Sequence, residues 1–436
     1  MAGTEVSLLL MPRIVTGGQN GRESMDGSNK CELNLRPLLH MLQMTGFYPK
    51  PTGPRKSSCK VCLLCAISFV AIVVNGGCFC FTVHVADQMR RYWGLLSFDG
   101  MSSITTSIKP LHGFLNLACF VITINQHVTL VNLMERHDMF CRRVFNESVS
   151  LSRPNMVIFI FTGLAFYVTF MLRVVEYVVM KEGPGYHIMT DLSLLIVPMM
   201  AIWQWLPLLY FLTLNRTILF WFRQLYKRMI TDKCRTRTVA FYLDCYNRLA
   251  NVMTKFDETF GPFIFFSLAY SVAVLCLSIY FLTQANIDTL LPNPEDYELK
   301  ILTQFFLIWV SMQILTAVAY VLAIPLSCTY ANEQAIKIEE IVLRLPMGTD
   351  DDKHASWCIM EKVKSLKYWG LTFWGMFPIG PSLLFTFLSI IVTYAIVLLN
   401  LKQFYQSCLL IKQGQPITGS EPHDSLLHNM SDTNFL

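Results

Sequence analysis

Apolar residues in this chain gather into seven long runs separated by shorter polar and basic segments. The runs are Val61–Val85, Pro110–Leu133, Met156–Met180, Ile188–Leu212, Pro262–Leu282, Ile301–Pro325 and Leu371–Leu399. Each is long enough to cross a hydrocarbon core of ~30 Å as a helix. A helix also bonds its own backbone groups, which a bilayer cannot do for it. The pattern predicts an all-α membrane protein with seven transmembrane helices. Proline or polar positions interrupt the second and fourth runs, so their ends are the least sharply drawn. The last run has no charge between Lys367 and Lys402, yet it carries Ser382, Ser389, Thr393 and Asn400 close to one helical face. A lone lipid-facing anchor has no use for such a stripe, so this face is expected to meet other helices or water.

The connecting segments carry patterns of their own. Leu35 to Pro49 reads LRPLLHMLQMTGFYP, with helical apolar spacing and a Gly46–Pro49 ending. It predicts a short amphipathic helix packed against the membrane face, after a polar segment expected to be disordered up to Asn34. Between Val239 and Phe260, apolar residues recur at Tyr242, Tyr246, Leu249, Met253, Phe256 and Phe260, in steps of three and four. Ala331, Ala335, Ile338, Val342 and Leu345 repeat the pattern, as do Ile359, Val363 and Leu366. These predict helices that continue spans five, six and seven below the membrane and pack into a bundle, within one chain or between chains. Asp350–Asp352 with Lys353 reads as a solvated break between two of them. The organisation expected is a cytoplasmic segment over 1–58 and helices one to six with a ligand pocket over 59–349. An anchor helix and the last membrane helix follow over 350–404, with an extracellular tail over 405–436.

Composition agrees with the runs. The chain is 53% hydrophobic and 15% charged, where a soluble domain carries about 25% charged residues. Its mean hydropathy is +0.43. The net charge of +5 matters less than its placement. About 27 lysines and arginines fall in the N-terminal segment and the loops and flanks after spans two, four and six; about 7 fall on the opposite side. The positive-inside rule then puts the N-terminus in the cytoplasm and, after seven spans, the C-terminus outside. That orientation is the reverse of a G-protein-coupled receptor, whose arginine and NPxxY-type signatures are also missing at the relevant span ends. The first 58 residues lack a basic, apolar, small-residue leader, so the first span is expected to act as its own signal.

Motifs for catalysis are missing: there is no HExxH, P-loop, GxSxG or dinucleotide fingerprint. An enzyme is not expected, nor a cofactor, a metal or a nucleic-acid partner. Cys62 and Cys65 form a CxxC inside the first apolar run with no second pair or histidine ligands near it, so a zinc site is not expected there. Asn429-Met430-Ser431 is a glycosylation sequon on the expected outer side, whereas Asn146 and Asn215 lie in sequons on the inner side and should stay unmodified.

The last run also carries a resemblance. Gly375 to Leu384, followed by Thr393-Tyr394, five apolar residues and Asn400-Leu401, resembles the final helix of insect gustatory receptors. Their motif there is Thr-Tyr, five hydrophobic residues and Gln-Phe; this chain matches at Thr393 and Tyr394 and departs at Asn400 and Leu401. Arg36-Pro37 with Gly46 to Pro49 resembles the N-terminal segment of the same family, and the inverted seven-span layout fits the whole chain. The resemblance implies a homotetrameric, ligand-gated, non-selective cation channel, or a heteromer with related receptors. It implies a location in the plasma membrane of chemosensory neurons and opening by a small external tastant. It also implies that the seventh span lines a central pore and that ligand binds among the outer halves of spans two to six. An odorant-receptor-type channel of the same superfamily and a secondary transporter are the alternatives. A transporter would call for internal repeats, and none is apparent.

Those implications select residues. For the pore they are Asn400, Leu401, Val397, Ile396, Thr393 and Ser389, a face that could wet when open and dewet when closed; Asn400 could instead cap the helix end. Tyr394 is expected to pack helix on helix. For the ligand they are Arg173, Glu176 and Tyr177 near the top of span three, and Trp203 and Gln204 in span four. Tyr280 tops span five, and Gln304, Trp309 and Gln313 lie on the outer half of span six. Arg173 and Glu176, one turn apart, could equally pair at the interface. Rings beside amides and hydroxyls suit a sugar or an amphipathic bitter-type compound, and aromatic residues also form ordinary interfacial belts.

Overall fold

The computed structural model describes residues 35–48, 58–93, 98–145, 152–180, 188–232, 239–284, 297–342, 353–354, 356–358, 360–361 and 370–412. Among them the long elements are all helical. In chain order they are α1 (Arg36–Met44), α2 (Ser58–Trp93), α3 (Phe98–Ile122), α4 (Ile124–Phe145), α5 (Ser152–Met180), α6 (Ile188–Asp232), α7 (Val239–Gln284), α8 (Tyr297–Val342) and α9 (Pro381–Lys412). Six of these are long and apolar enough to cross a membrane, and α3 with α4 makes a seventh if the bent pair counts as one span.

That bend corrects the expected second span. Pro110–Leu133 is not one straight helix: α3 and α4 meet at Thr123 with a 65° change of direction. Thr123 Oγ1 donates to the Cys119 carbonyl at 2.6 Å and shares that acceptor with Thr123 N at 2.9 Å, a side-chain bond of the kind that bends helices. The proline inside α3, Pro110, sits well before the bend and does not cause it. The fourth span is also longer than expected. Its helix runs on past Leu212 to Asp232, because Leu214, Ile218, Trp221, Phe222 and Leu225 keep one face buried.

α6, α7 and α8 have 45, 46 and 46 residues, about 68 Å each at 1.5 Å per residue and over twice a hydrocarbon core. Their extra turns pack on one another. Tyr242, Tyr246, Leu249, Met253, Phe256 and Phe260 on α7, and Ala331, Ala335 and Ile338 on α8, are all buried. The step of three and four read from the sequence is therefore the packed face of continuous helices. Ile359, Val363 and Leu366, like Leu345, lie outside the described residues. Phe260 is the hub of the core, with ring centroids of Phe256 at 4.6 Å, His127 at 5.1 Å, Phe211 at 5.4 Å and Tyr210 at 5.6 Å.

The N-terminal helix forms where its spacing predicts, with one apolar face buried. α1 and the turn after it pack that face against α2, α3 and α6. Leu35, Leu38, Leu39, Leu42, Phe47 and Tyr48 are all buried. Phe47 packs edge-on against Phe120 at 5.1 Å, and Trp203 Nε1 donates to the Thr45 carbonyl at 3.0 Å. Ser68 Oγ, about three turns into α2, donates to the Gly46 carbonyl at 2.6 Å. Gly46 has φ +87°, and a Cβ there would lie 2.9 Å from that of Ala71. Only glycine meets both conditions without strain.

Candidate functional site

The last apolar run begins differently from the expected helix. Leu371 to Gly380 forms a compact turn, closed by an isolated bridge between Thr372 and Pro378, and α9 starts only at Pro381. Pro378 and Pro381 around Gly380 explain the delay, because proline cannot donate in a helix interior but suits its first turn. Two helices hold this turn. On α7, Asp257 accepts from the Thr372 amide at 2.6 Å and from its hydroxyl at 2.7 Å. On α8, the Asn332 amide accepts from Leu371 N at 2.9 Å and donates to the Leu371 and Ile379 carbonyls at 3.3 and 3.0 Å. A Cβ at Gly370 would sit 2.9 Å from Asn332 Oδ1, so the bracket also requires that glycine. Trp374, with φ 52°, rests its ring on Phe265 at 4.9 Å.

α9 packs against α7 and α8 through Leu383 and Phe387, and Tyr394 is half-buried on that same face. Ser389, Thr393, Ile396, Val397, Asn400 and Leu401 are exposed. At 3.6 residues per turn, Ser382, Ser389, Thr393 and Asn400 lie within a narrow stripe roughly 120° around the helix from the packed face. Of the most apolar stretch of α9, 12% is buried, against 67% in α6. The chain thus leaves an apolar helix with a polar stripe largely uncovered.

A second polar feature is enclosed in the bundle. His112 and Asn116 on α3, Ser267 and Tyr270 on α7, Gln204 on α6 and Tyr320 on α8 are all buried. The His112 ring stacks on Tyr270 with centroids 3.9 Å apart. Its Nε2 lies 3.0 Å from the Asn116 amide nitrogen and 3.3 Å from Ser267 Oγ. Gln204 Nε2 donates to the Tyr270 hydroxyl at 3.3 Å, and the Tyr320 hydroxyl donates to the Gln204 carbonyl. The other ring nitrogen, Nδ1, has no hydrogen-bond partner among the described residues. Gln313 Oε1, buried on α8, is without a partner in the same sense.

At the middle of α3 and about three turns into α8, the Lys109 ammonium and the Arg173 guanidinium each stand 5.4 Å from the ring centroid of Trp309. The structure therefore joins Arg173 to Trp309 and places Gln204 in the polar network. Gln313 follows Trp309 by one turn. Trp203 stands apart from this group, with its indole committed to Thr45. The side chains of Glu176, Tyr177, Tyr280 and Gln304 lie outside the described residues, as do Asn429 and Asn146. Asn215 is buried and donates to Ser327 Oγ at 2.7 Å, which leaves no access for glycosylation. His112, Asn116, Ser267, Tyr270, Tyr320 and Lys109 were not found by sequence reasoning. His112 and Asn116 four apart in an apolar run were the available signal. A small cleft between α4, α6 and α7, lined by His137, Phe140, Trp221 and Cys245, lies at the other end of the bundle. Among the described residues no group of three or more metal-ligating side chains occurs.

Comparison with known proteins agrees with this architecture. Residues 35–405 match the model of the 7tm chemosensory receptor family. A Caenorhabditis elegans protein named probable G-protein coupled receptor egl-47 is 28% identical over 387 residues, covering 85% of this chain and 74% of that protein. Two structures of the olfactory receptor OR5 from the insect Machilis hrabei superpose with TM-scores of 0.60, in complex with eugenol, and 0.59. Each shares 14% sequence identity and covers 84% of this chain and 97% of the receptor. The fold is that of an insect odorant receptor, and the chain belongs to the 7tm chemosensory receptor family.

Proposed function

We propose that this receptor is a ligand-gated, non-selective cation channel of gustatory type. It opens when a small external molecule binds and depolarises a chemosensory neuron from its plasma membrane. The observation that carries this reading is the uncovered face of α9, where Ser389, Thr393 and Asn400 form a polar stripe on an otherwise apolar helix. Copies of the chain around a fourfold axis would turn that stripe into a pore wall. Asn400 would give a neutral polar ring, with Ile396, Val397 and Leu401 as a constriction that dewets when closed. The N-terminus would be cytoplasmic, the long ends of α6, α7 and α8 would form an anchor with the segment before α9, and the tail after 404 would be outside. Assembly with related receptors is the heteromeric form of the same reading.

In this arrangement the ligand sits beside the buried network of His112, Gln204, Tyr270 and Tyr320, below Trp309. Sugars stack on rings and bond by their edges, and amphipathic bitter-type compounds use the same lining. The likeness to a receptor solved with eugenol favours a second reading, an odorant-type channel taking a small aromatic molecule. Recording from cells that express the full chain alone, with sugars, bitter compounds, carbon dioxide and eugenol applied in turn, tests both readings. A ligand-evoked cation current is expected. Current only with a related receptor co-expressed would replace the homotetramer by a heteromer, and none in either condition would defeat the channel reading.

A further inference from the structure

Lys109 and Arg173 come from different helices and converge on one indole ring. Both cations stand 5.4 Å from the Trp309 centroid, so the two charges are at most about 11 Å apart. Like charges brought this close on partly buried side chains repel and lose hydration. The Trp309 face relieves part of that cost by cation–π attraction. Among the described residues Lys109 has no carboxylate in ion-pair reach, and the Trp309 ring is the group that faces its charge.

The polar groups one turn deeper have the matching deficit. On α3, His112 follows Lys109 by three residues, and its buried Nδ1 has no hydrogen-bond partner among the described residues. On α8, Gln313 follows Trp309 by four residues, and its Oε1 is a buried acceptor without a donor among the described residues. Gln313 is 8% exposed and His112 1%. Leaving such atoms unsatisfied is costly in a folded protein, and they mark places where a further polar partner fits. Ile108 and Leu275 pack against the nearby core of Tyr270, Val274 and Ala317, which supplies apolar wall beside these groups.

We propose that Lys109, with Arg173 and Trp309, receives the anionic group of the ligand. The activating compounds would then be amphipathic acids bearing a ring or chain and a hydroxyl or amine that can donate to Gln313. This rests on the ligand-gated reading above and narrows it from neutral tastants to acids. The anionic group required is a carboxylate or a phosphate, and an outer-leaflet phospholipid headgroup supplies the same chemistry as a soluble acid.

The test measures binding apart from current, on full-length protein in phosphatidylcholine nanodiscs. Thermal unfolding is followed with 4-hydroxyphenylacetate, cinnamate and indole-3-acetate, each against its neutral alcohol, and with phosphatidylglycerol added to the bilayer. Wild type is compared with Lys109→Met and Lys109→Arg. Stabilisation by at least one acid and not by its alcohol, lost in Lys109→Met and retained in Lys109→Arg, is the expected result. The same charge-dependent pattern with phosphatidylglycerol alone assigns the site to a lipid headgroup. Equal shifts for acids and alcohols, or acid and lipid effects that are absent or unchanged in Lys109→Met, overturn the proposal. Acid binding without any acid-evoked current, alone or with a related receptor co-expressed, leaves the anion site standing and overturns acids as the activating compounds. No current with any compound in either condition defeats the channel reading, so the failures are distinct.

Discussion

Asp257 on α7 holds Thr372 by two hydrogen bonds, 2.6 Å from the backbone amide and 2.7 Å from the side-chain hydroxyl. The Thr372 hydroxyl in turn accepts from Gly375 N at 2.8 Å, so one carboxylate organises the turn from which α9 starts. Any movement of α7 relative to α8 is felt by that turn, because Asn332 of α8 grips its two ends.

Breaking this latch is expected to change how α9 responds to the rest of the bundle. Thr372→Val removes a hydrogen bond to a carboxylate, worth about 1.5–3 kcal/mol. We expect a several-fold change in basal or ligand-evoked current at equal surface expression, and Asp257→Ala should act in the same direction. Whole-cell current normalised to surface-labelled protein checks this; unchanged ratios in both variants would remove the latch from gating.

Gly46 makes a sharper stability test. Gly46→Ala forces a side chain into positive φ and onto Ala71, costing roughly 1–2 kcal/mol from the backbone before the contact is counted. A lower thermal midpoint in detergent is expected. Adding Ala71→Gly removes the atom 2.9 Å away and should restore part of the loss, leaving the backbone share. Additive losses in the double variant would show that the two residues do not meet.

Asn400→Leu is expected to alter single-channel conductance or basal current, since it replaces the polar member of the exposed stripe with an apolar one. Asn400→Gln, which lengthens the side chain by one methylene and keeps its amide, should keep a polar ring of different width. Identical unitary currents in all three proteins would place Asn400 outside the pore.

Within the buried network, Gln204→Leu strips the donor to Tyr270 and leaves its hydroxyl unpaired in an apolar setting. A cost of about 1.4 kcal/mol in ligand binding corresponds to a tenfold shift in the dose–response midpoint. Trp203→Phe, which loses only the bond to Thr45, should lower thermal stability and leave ligand sensitivity alone. A ligand response that follows Trp203 and ignores Gln204 would move the site away from the network.

Hydropathy alone determined the class of this protein: all-helical, about seven apolar spans, with amphipathic extensions whose buried faces at Tyr242 to Phe260 and Ala331 to Ile338 were readable from spacing. These are local properties, since each helix bonds its own backbone and declares its buried side by periodicity. Thr393-Tyr394 pointed to the family for the same reason, being contiguous along the chain. Contacts between distant segments were beyond that reach. The insertion of Gly46 beside Ser68, the 65° bend at Thr123 and the Asp257–Thr372 latch join residues far apart or depend on which side chain wins a hydrogen bond. So does the convergence of Lys109, Arg173 and Trp309, whose positions on three separate helices carry no common pattern until packing brings them to one ring.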